Sequence, residues 1–399
     1  MKKPTKVLIA GGGIGGLTAA LALLRRGVDV QVFEQAPELR DVGAGLQLSA
    51  NALRVLYRLG VGEALRAVAC EADGKEIRLW NSGQTWKLFD LGAHSVAQYG
   101  YSYFLLYRPD LHRVLADAVR AIKADAILLG ASCSGFRQSA DGVQLQLADG
   151  RTFDGDVLIG ADGVHSQLRS QLVGPDKPVF SGCLAWRGVM PMARLPVHLR
   201  RAVGTNWVGP GAHVIHYPLR GGELMNFVGI IERDDWQVES WTQQGTHEEC
   251  HGHFKGWHED VHTLIDHIDT PFKWALMGRE PLQQWSEGRV TMLGDACHPT
   301  LPFLAQGAAM ALEDGYILAR CVEKYQDDLS LALGKYEAAR IERTTRIVLR
   351  STENGRRFHN PALASAEGAA DYVDREWAEP KVRERYDWLF SYNVDEVAI

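Results

Sequence analysis

The chain has 399 residues, 46% of them hydrophobic and 23% charged, with a formal net charge of −6. That length is enough for two domains. The acidic balance, with no basic cluster, argues against a nucleic-acid surface, and no apolar run reaches the length of a membrane span. Six cysteines without a C-x-x-C pair argue against a disulfide framework or a thiolate metal site and point to a reducing cytoplasm.

The first element is the apolar run Val7 to Ala10, which lacks alternation, as a strand buried on both faces should. Gly11, Gly13 and Gly16 then fit G-x-G-x-x-G, an Ala/Leu-rich helix runs to Gly27, and a second strand ends at Glu34. Together these parts predict a dinucleotide-binding βαβ unit. Gly11 makes the tight turn, Gly13 admits a pyrophosphate at the helix N-terminus, Gly16 lets helix and strand pack closely, and Glu34 accepts from ribose hydroxyls. Lys2 and Lys3 before an apolar run suggest a signal peptide, but the glycines break that run and no cleavage site follows.

A glycine-punctuated segment, Asp41 to Leu48, leads into a helix over Asn51 to Leu59. Asp73 to Leu91 reads as strands around a turn at Asn81-Ser82-Gly83, and Arg108-Pro109 opens a helix to about Lys123. Gly142 to Leu147 alternates before a hairpin turn at Asp149-Gly150. Asp156 to Gly163 and Val290 to Ala296 are two more apolar strands ending in small residues and an acid, so one parallel sheet drawn from distant segments is expected. Between them, Phe180 to Phe272 reads as an inserted, strand-rich region. In its clearest strand His213, Ile215 and Tyr217 share a face and His216 points the other way.

His247-Glu248-Glu249-Cys250-His251 matches H-E-x-x-H, the zinc-hydrolase helix. The segment is polar throughout and Gly252 is expected to interrupt the helix, so a solvated histidine-rich face is the better reading and no metal is expected. A helix is expected over Ala308 to Tyr325. The last stretch, Asp371 to Ile399, holds five aromatics that should pack on the protein's own body or on a second copy.

Three ordered motifs give this chain a family resemblance: Gly11 to Gly16 with Glu34, Asp162-Gly163 to Arg169, and Gly294-Asp295-Ala296-Cys297-His298-Pro299. It resembles the single-component FAD-dependent aromatic hydroxylases, the para-hydroxybenzoate hydroxylase group. The resemblance implies an α/β fold: a Rossmann-like, glutathione-reductase-type FAD-binding domain, an inserted mainly β-sheet substrate domain and a C-terminal helical region. The boundaries expected are 1–75, 103–178 and 273–345 for FAD, 76–102 and 179–272 for substrate, and 346–399 for the tail. It also implies that Asp162 and Gly163 serve FAD and the pyridine nucleotide, that Asp295 bonds the ribityl chain, and that Arg108 lies against FAD. Pro299 and the turn to Gly307 would aim a helix N-terminus at the flavin. Ser166 and Arg169 fit a surface helix equally well.

A closer resemblance links Gly209 to Glu223 with the 3-hydroxybenzoate 6-hydroxylases and one branch of salicylate hydroxylases. It maps a pocket His and Tyr onto His213 and Tyr217, and places Gln47 near flavin and substrate. Where the 3-hydroxybenzoate enzymes carry a substrate-contacting Gln, this chain has Pro302, which shifts the expectation toward salicylate. The implied reaction consumes NADH or NADPH and O2 and hydroxylates a small phenolic acid through a flavin C4a-hydroperoxide, with His213 as base or proton relay. A hydroxypyridine carboxylate is the alternative substrate, and a flavin-binding protein without activity is the alternative class.

Overall fold

The computed structural model describes residues 4–39, 44–233, 235 and 243–399; Lys2, Lys3 and Asp41 to Gly43 lie outside them. A six-stranded sheet runs in the order Ser286–Glu287, Val290–Met292, Val157–Gly160, Lys6–Ala10, Asp29–Phe33 and Ile127–Leu128. Its strands are parallel except for the Ser286–Glu287 edge. The three distant apolar strands therefore lie side by side, and their central residues are fully buried, which is why none of them alternates.

At the carboxyl end of Lys6–Ala10 the chain turns into the helix Ile14–Leu24. A Cβ on Gly11 (φ +109°) would lie 2.2 Å from the Ala161 carbonyl oxygen, and one on Gly16 would lie 2.0 Å from that of Gly11. Only glycine lets the turn, the neighbouring strand and the helix approach this closely.

A seven-stranded sheet has the order Phe272–Gly278, Val179–Pro191, Leu224–Glu232, Ala212–Leu219, Val203–Gly209, Gly74–Leu79 and Thr85–Asp90. All pairs are antiparallel except Val203–Gly209 with Gly74–Leu79. The short helices His247–His253 and Glu259–His267 cover one face, packing Phe254 and Leu264 against Trp186, Trp207 and Phe227. Gly252 lies inside the first of these helices instead of interrupting it. A helix of that length has enough neighbouring packing to absorb a glycine, whose cost is about 1 kcal/mol. The bidentate pair of Arg220 with Asp110, at 2.9 and 3.0 Å, ties this sheet to the helix Arg108–Ile122.

The helices Leu329–Phe358, Ala366–Glu376 and Glu379–Phe390 close the chain. The C-terminal aromatics pack on the protein's own body. Phe390 meets Tyr99 and Tyr103 edge-on at 5.6 and 6.0 Å, and Trp377 stacks on Phe358. Among the described residues, no helix is long and apolar enough to cross a membrane.

A buried ionic group joins these parts. Arg340 donates from Nε to Asp314 Oδ1 at 2.7 Å, its Nη2 lies 2.7 Å from Glu313 Oε2, and all three side chains are fully buried. Asp314 Oδ2 accepts from the Gly294 amide and from His298. Burial alone would raise the Asp314 carboxyl, but His298 and Arg340 outweigh it and hold it down at about 2. Arg340→Met should leave two buried carboxylates short of a cation and cost about 3–5 kcal/mol in urea unfolding. A loss below about 1 kcal/mol would contradict this reading.

Candidate active site

The first part of the site is a cleft at the carboxyl ends of the parallel strands. The helix Ile14–Leu24 begins at Gly13 with no side-chain cap, and a Cβ on Gly13 would meet nothing within 4 Å. Its first amides are therefore available to an anion lying against Gly13. Glu34 is fixed above this turn, with Oε2 accepting from the Gly12 amide and Oε1 from the Ala36 amide, each at 2.8 Å. Each oxygen keeps lone-pair capacity for a hydroxyl. His112, which the sequence did not single out, bonds the Gly12 carbonyl at 2.7 Å.

Asp162 uses Oδ2 to accept from the Gln167 and Leu168 amides, while its buried Oδ1 meets the full hydrogen-bond geometry with no donor among the described residues. Burial pushes its carboxyl up. Gly163 follows with φ +76° and open space where a Cβ would be. Ser166 caps the next helix by accepting from the Arg169 amide. Arg169 is not a surface residue: it is buried, pairs with Asp176 and donates to the Ala296 and Cys297 carbonyls. It thereby joins the Asp162 loop to the Gly294-Asp295 turn.

Arg108 and Asp295 both reach open space, yet burial of their surroundings lowers the Arg108 guanidinium and raises the Asp295 carboxyl. Groups that touch open space while surrounded by protein line a deep cleft. Pro299 is buried beside them, and the short turn Pro302–Leu304 ends at Ala305, which has φ +54°. The helix Gly307–Lys324 starts there. Its start is clamped by a buried ring in which Gln306 donates to Ser49, Ser49 donates to Asn51, and Asn51 donates to Gln306 and Glu313. The orphaned Asp162 oxygen, the open Gly13 face and the desolvated Arg108–Asp295 pair fit a long, polar, phosphate-bearing cofactor such as FAD.

The second part lies on the seven-stranded sheet. His213, Ile215 and Tyr217 face the cluster containing Leu105, Phe303 and Phe358, whereas Ala212 and Val214 face the opposite one. Four residues of strand separate His213 from Tyr217 by about 13 Å. They do not satisfy each other. His213 Nδ1 bonds His359 Nε2 at 2.7 Å, and the Tyr217 hydroxyl bonds the Gln47 side chain. Gln47 also accepts from Tyr103, which accepts from Lys75 at 2.8 Å. Burial brings the Lys75 ammonium down to about 7. Pro302 is exposed at the turn whose next residue, Phe303, meets the His213 ring at 5.7 Å.

The H-E-x-x-H histidines separate. His247 bonds the Ile268 carbonyl, while His251 bonds His262 and Asp266.

The comparisons with known proteins agree with this geometry. Residues 4–351 match the family described as FAD binding domain. The chain belongs to this family of FAD-dependent monooxygenases. It is 38% identical over 393 residues to a 3-amino-4-hydroxybenzoate 2-monooxygenase of Streptomyces platensis, covering 98% of this chain and 97% of that one. It is also 38% identical to a 3-hydroxybenzoate 6-hydroxylase of Polaromonas naphthalenivorans, covering 97% and 96%. A salicylate hydroxylase solved as a substrate complex superposes with a TM-score of 0.80 at 28% identity, covering 99% and 97%.

On the other face of the strand, both ring nitrogens of buried His216 lack hydrogen-bond partners among the described residues, and burial first, then Arg78, lowers its imidazole to about 4. The unfolded chain, with an ordinary value of about 6.5, binds the proton that the folded state refuses. Stability from this side chain is therefore intact above about pH 6.5 and falls between there and pH 4, by up to about 3 kcal/mol. His216→Phe should remove that component, so its unfolding free energy should gain on the wild type as pH falls from 7 to 4. A constant difference across that range would contradict the assignment.

Proposed function

We propose that this monooxygenase hydroxylates a small hydroxybenzoate held between His213 and Tyr217. The observation that carries the reading is their arrangement on one strand face. Their Cα positions are about 13 Å apart along the strand with Ile215 between them on the same face, so a ring lying against Ile215 can be reached from both sides. The aromatic wall of Phe303 and Phe358 beside His213 suits a ring. The relatives named for hydroxybenzoates and a salicylate complex support that substrate class.

Gly11, Gly13, Gly16 and Glu34 would hold the FAD adenosine and pyrophosphate. Asp162, Gly163 and Asp295 would hold the diphosphate–ribityl part, with Arg108, Pro299 and Gly307 nearer the ring. FAD, when bound, supplies hydride acceptance from NADH or NADPH and activation of O2. The protein's share is to make the substrate ring electron-rich and keep water out. A phenol near pKa 10 needs a base at pH 7. Burial, followed by His359, lowers His213 well below its ordinary value, so its imidazole is neutral and ready to accept. The His213 ring takes the phenol proton, while Tyr217, whose hydroxyl burial keeps protonated, donates to the carboxylate end. Six free cysteines support a reducing cytoplasmic setting. The seven-stranded sheet supports a substrate unit slightly wider than 76–102 and 179–272, because Gly74–Leu79 and Phe272–Gly278 are strands of it.

The test is NADH oxidation in air by the FAD-loaded protein with salicylate, 3-hydroxybenzoate or 6-hydroxynicotinate, with product identification. Stimulation by a hydroxybenzoate with a hydroxylated product is expected. Catechol from salicylate would mean loss of the carboxylate, and a dihydroxybenzoate would mean its retention. His213→Phe should keep FAD and lose hydroxylation by roughly 10²-fold or more. Stimulation by none of these acids would overturn the substrate class, and full turnover in His213→Phe would overturn its role.

A further inference from the structure

The base proposed above does not stand alone. His213 Nδ1 lies 2.7 Å from His359 Nε2, and His359 Nδ1 lies 3.0 Å from Glu232 Oε1. Both imidazoles are buried, whereas the Glu232 side chain is 56% exposed. The three groups thus form a continuous hydrogen-bonded chain from the buried strand face to solvent. His213 sits on the strand Ala212–Leu219, Glu232 ends the neighbouring strand, and His359 follows the long helix Leu329–Phe358. The rings of Phe303 and His213 pack on His359, and among the described residues Glu232 is the charged group bonded to its side chain.

We propose that His359 and Glu232 form a proton wire that carries the substrate's phenolic proton from His213 to solvent. The inference rests on the reading of His213 as the base. Hydrogen-bond roles along the chain follow from one end. A carboxylate can only accept, so His359 donates from Nδ1. Its Nε2 must then accept from His213 Nδ1–H, which leaves His213 Nε2 as a bare lone pair for the pocket. Burial keeps both rings neutral: it lowers His359 despite Glu232, and His213 is lowered further.

The transfer balances. The phenol O–H bond breaks as Nε2–H forms on His213. The His213 Nδ1 proton passes to His359 Nε2, the His359 Nδ1 proton passes to Glu232, and the carboxylic acid gives it to water. One phenolate remains and one proton leaves, with no redox change. A proton travelling inward at product release reverses each step and restores both tautomers without turning a ring. His359 and Glu232 are positioning residues here, since neither touches the substrate.

The experiment follows proton release when the hydroxybenzoate of the assay above is mixed with the FAD-loaded enzyme without O2 or NADH, using a pH indicator in weak buffer. Wild type should release about one proton per site, and rapidly. Glu232→Ala, at an exposed position, and His359→Gln should bind the acid with unchanged flavin spectral perturbation but release the proton roughly 10-fold more slowly or worse. In Glu232→Ala, added imidazole should restore the rate in proportion to its concentration, an effect a merely structural role would not produce. If both variants release as fast as wild type while His213→Phe does not, the wire is overturned and the base stands. If His213→Phe releases as fast as wild type, or wild type releases nothing, the base reading falls as well.

Discussion

The buried contact of Arg340 with Glu313 and Asp314 is the constraint on which the rest of the molecule depends. Asp314 receives the Gly294 amide and His298, and so sets the turn that carries Asp295. Glu313 receives Asn51, and so links the same helix to the segment carrying Gln47. Arg340 comes from the long C-terminal helix, which ends beside His359. Two carboxylates and an arginine removed from water are costly unless matched. Matched as they are, they hold three distant segments in one arrangement.

In cleft and pocket alike, burial and the charge of the nearest partner together set where a histidine titrates. Burial lowers His213 and His359, whereas His298, packed against Cys297 and Asp314, is raised above its ordinary range despite burial. The same residue type is thus lowered beside one sheet and raised beneath the other. What differs is the partner: an exposed carboxylate at the end of a chain, or a fully buried one in direct contact.

Much of this was legible in the sequence where the controlling physics is local. The glycine turn, the three unalternating strands and the face shared by His213 and Tyr217 all follow from steric limits and strand periodicity. Gly252 was misjudged because a seven-residue helix, packed through Cys250 and Phe254, tolerates it. Arg169 looked like a surface residue because its partners, the Ala296 and Cys297 carbonyls, are more than a hundred residues away. His359, Glu232 and Arg340 carry no motif at all. Their roles arise from long-range contacts that no window of sequence contains.

The most direct test of the account is turnover under ¹⁸O2 in ordinary water, with the hydroxylated acid examined by mass spectrometry. The account predicts a product whose new ring hydroxyl carries one labelled oxygen. NADH consumption that yields hydrogen peroxide alone, or a product whose new oxygen comes from water, would contradict it.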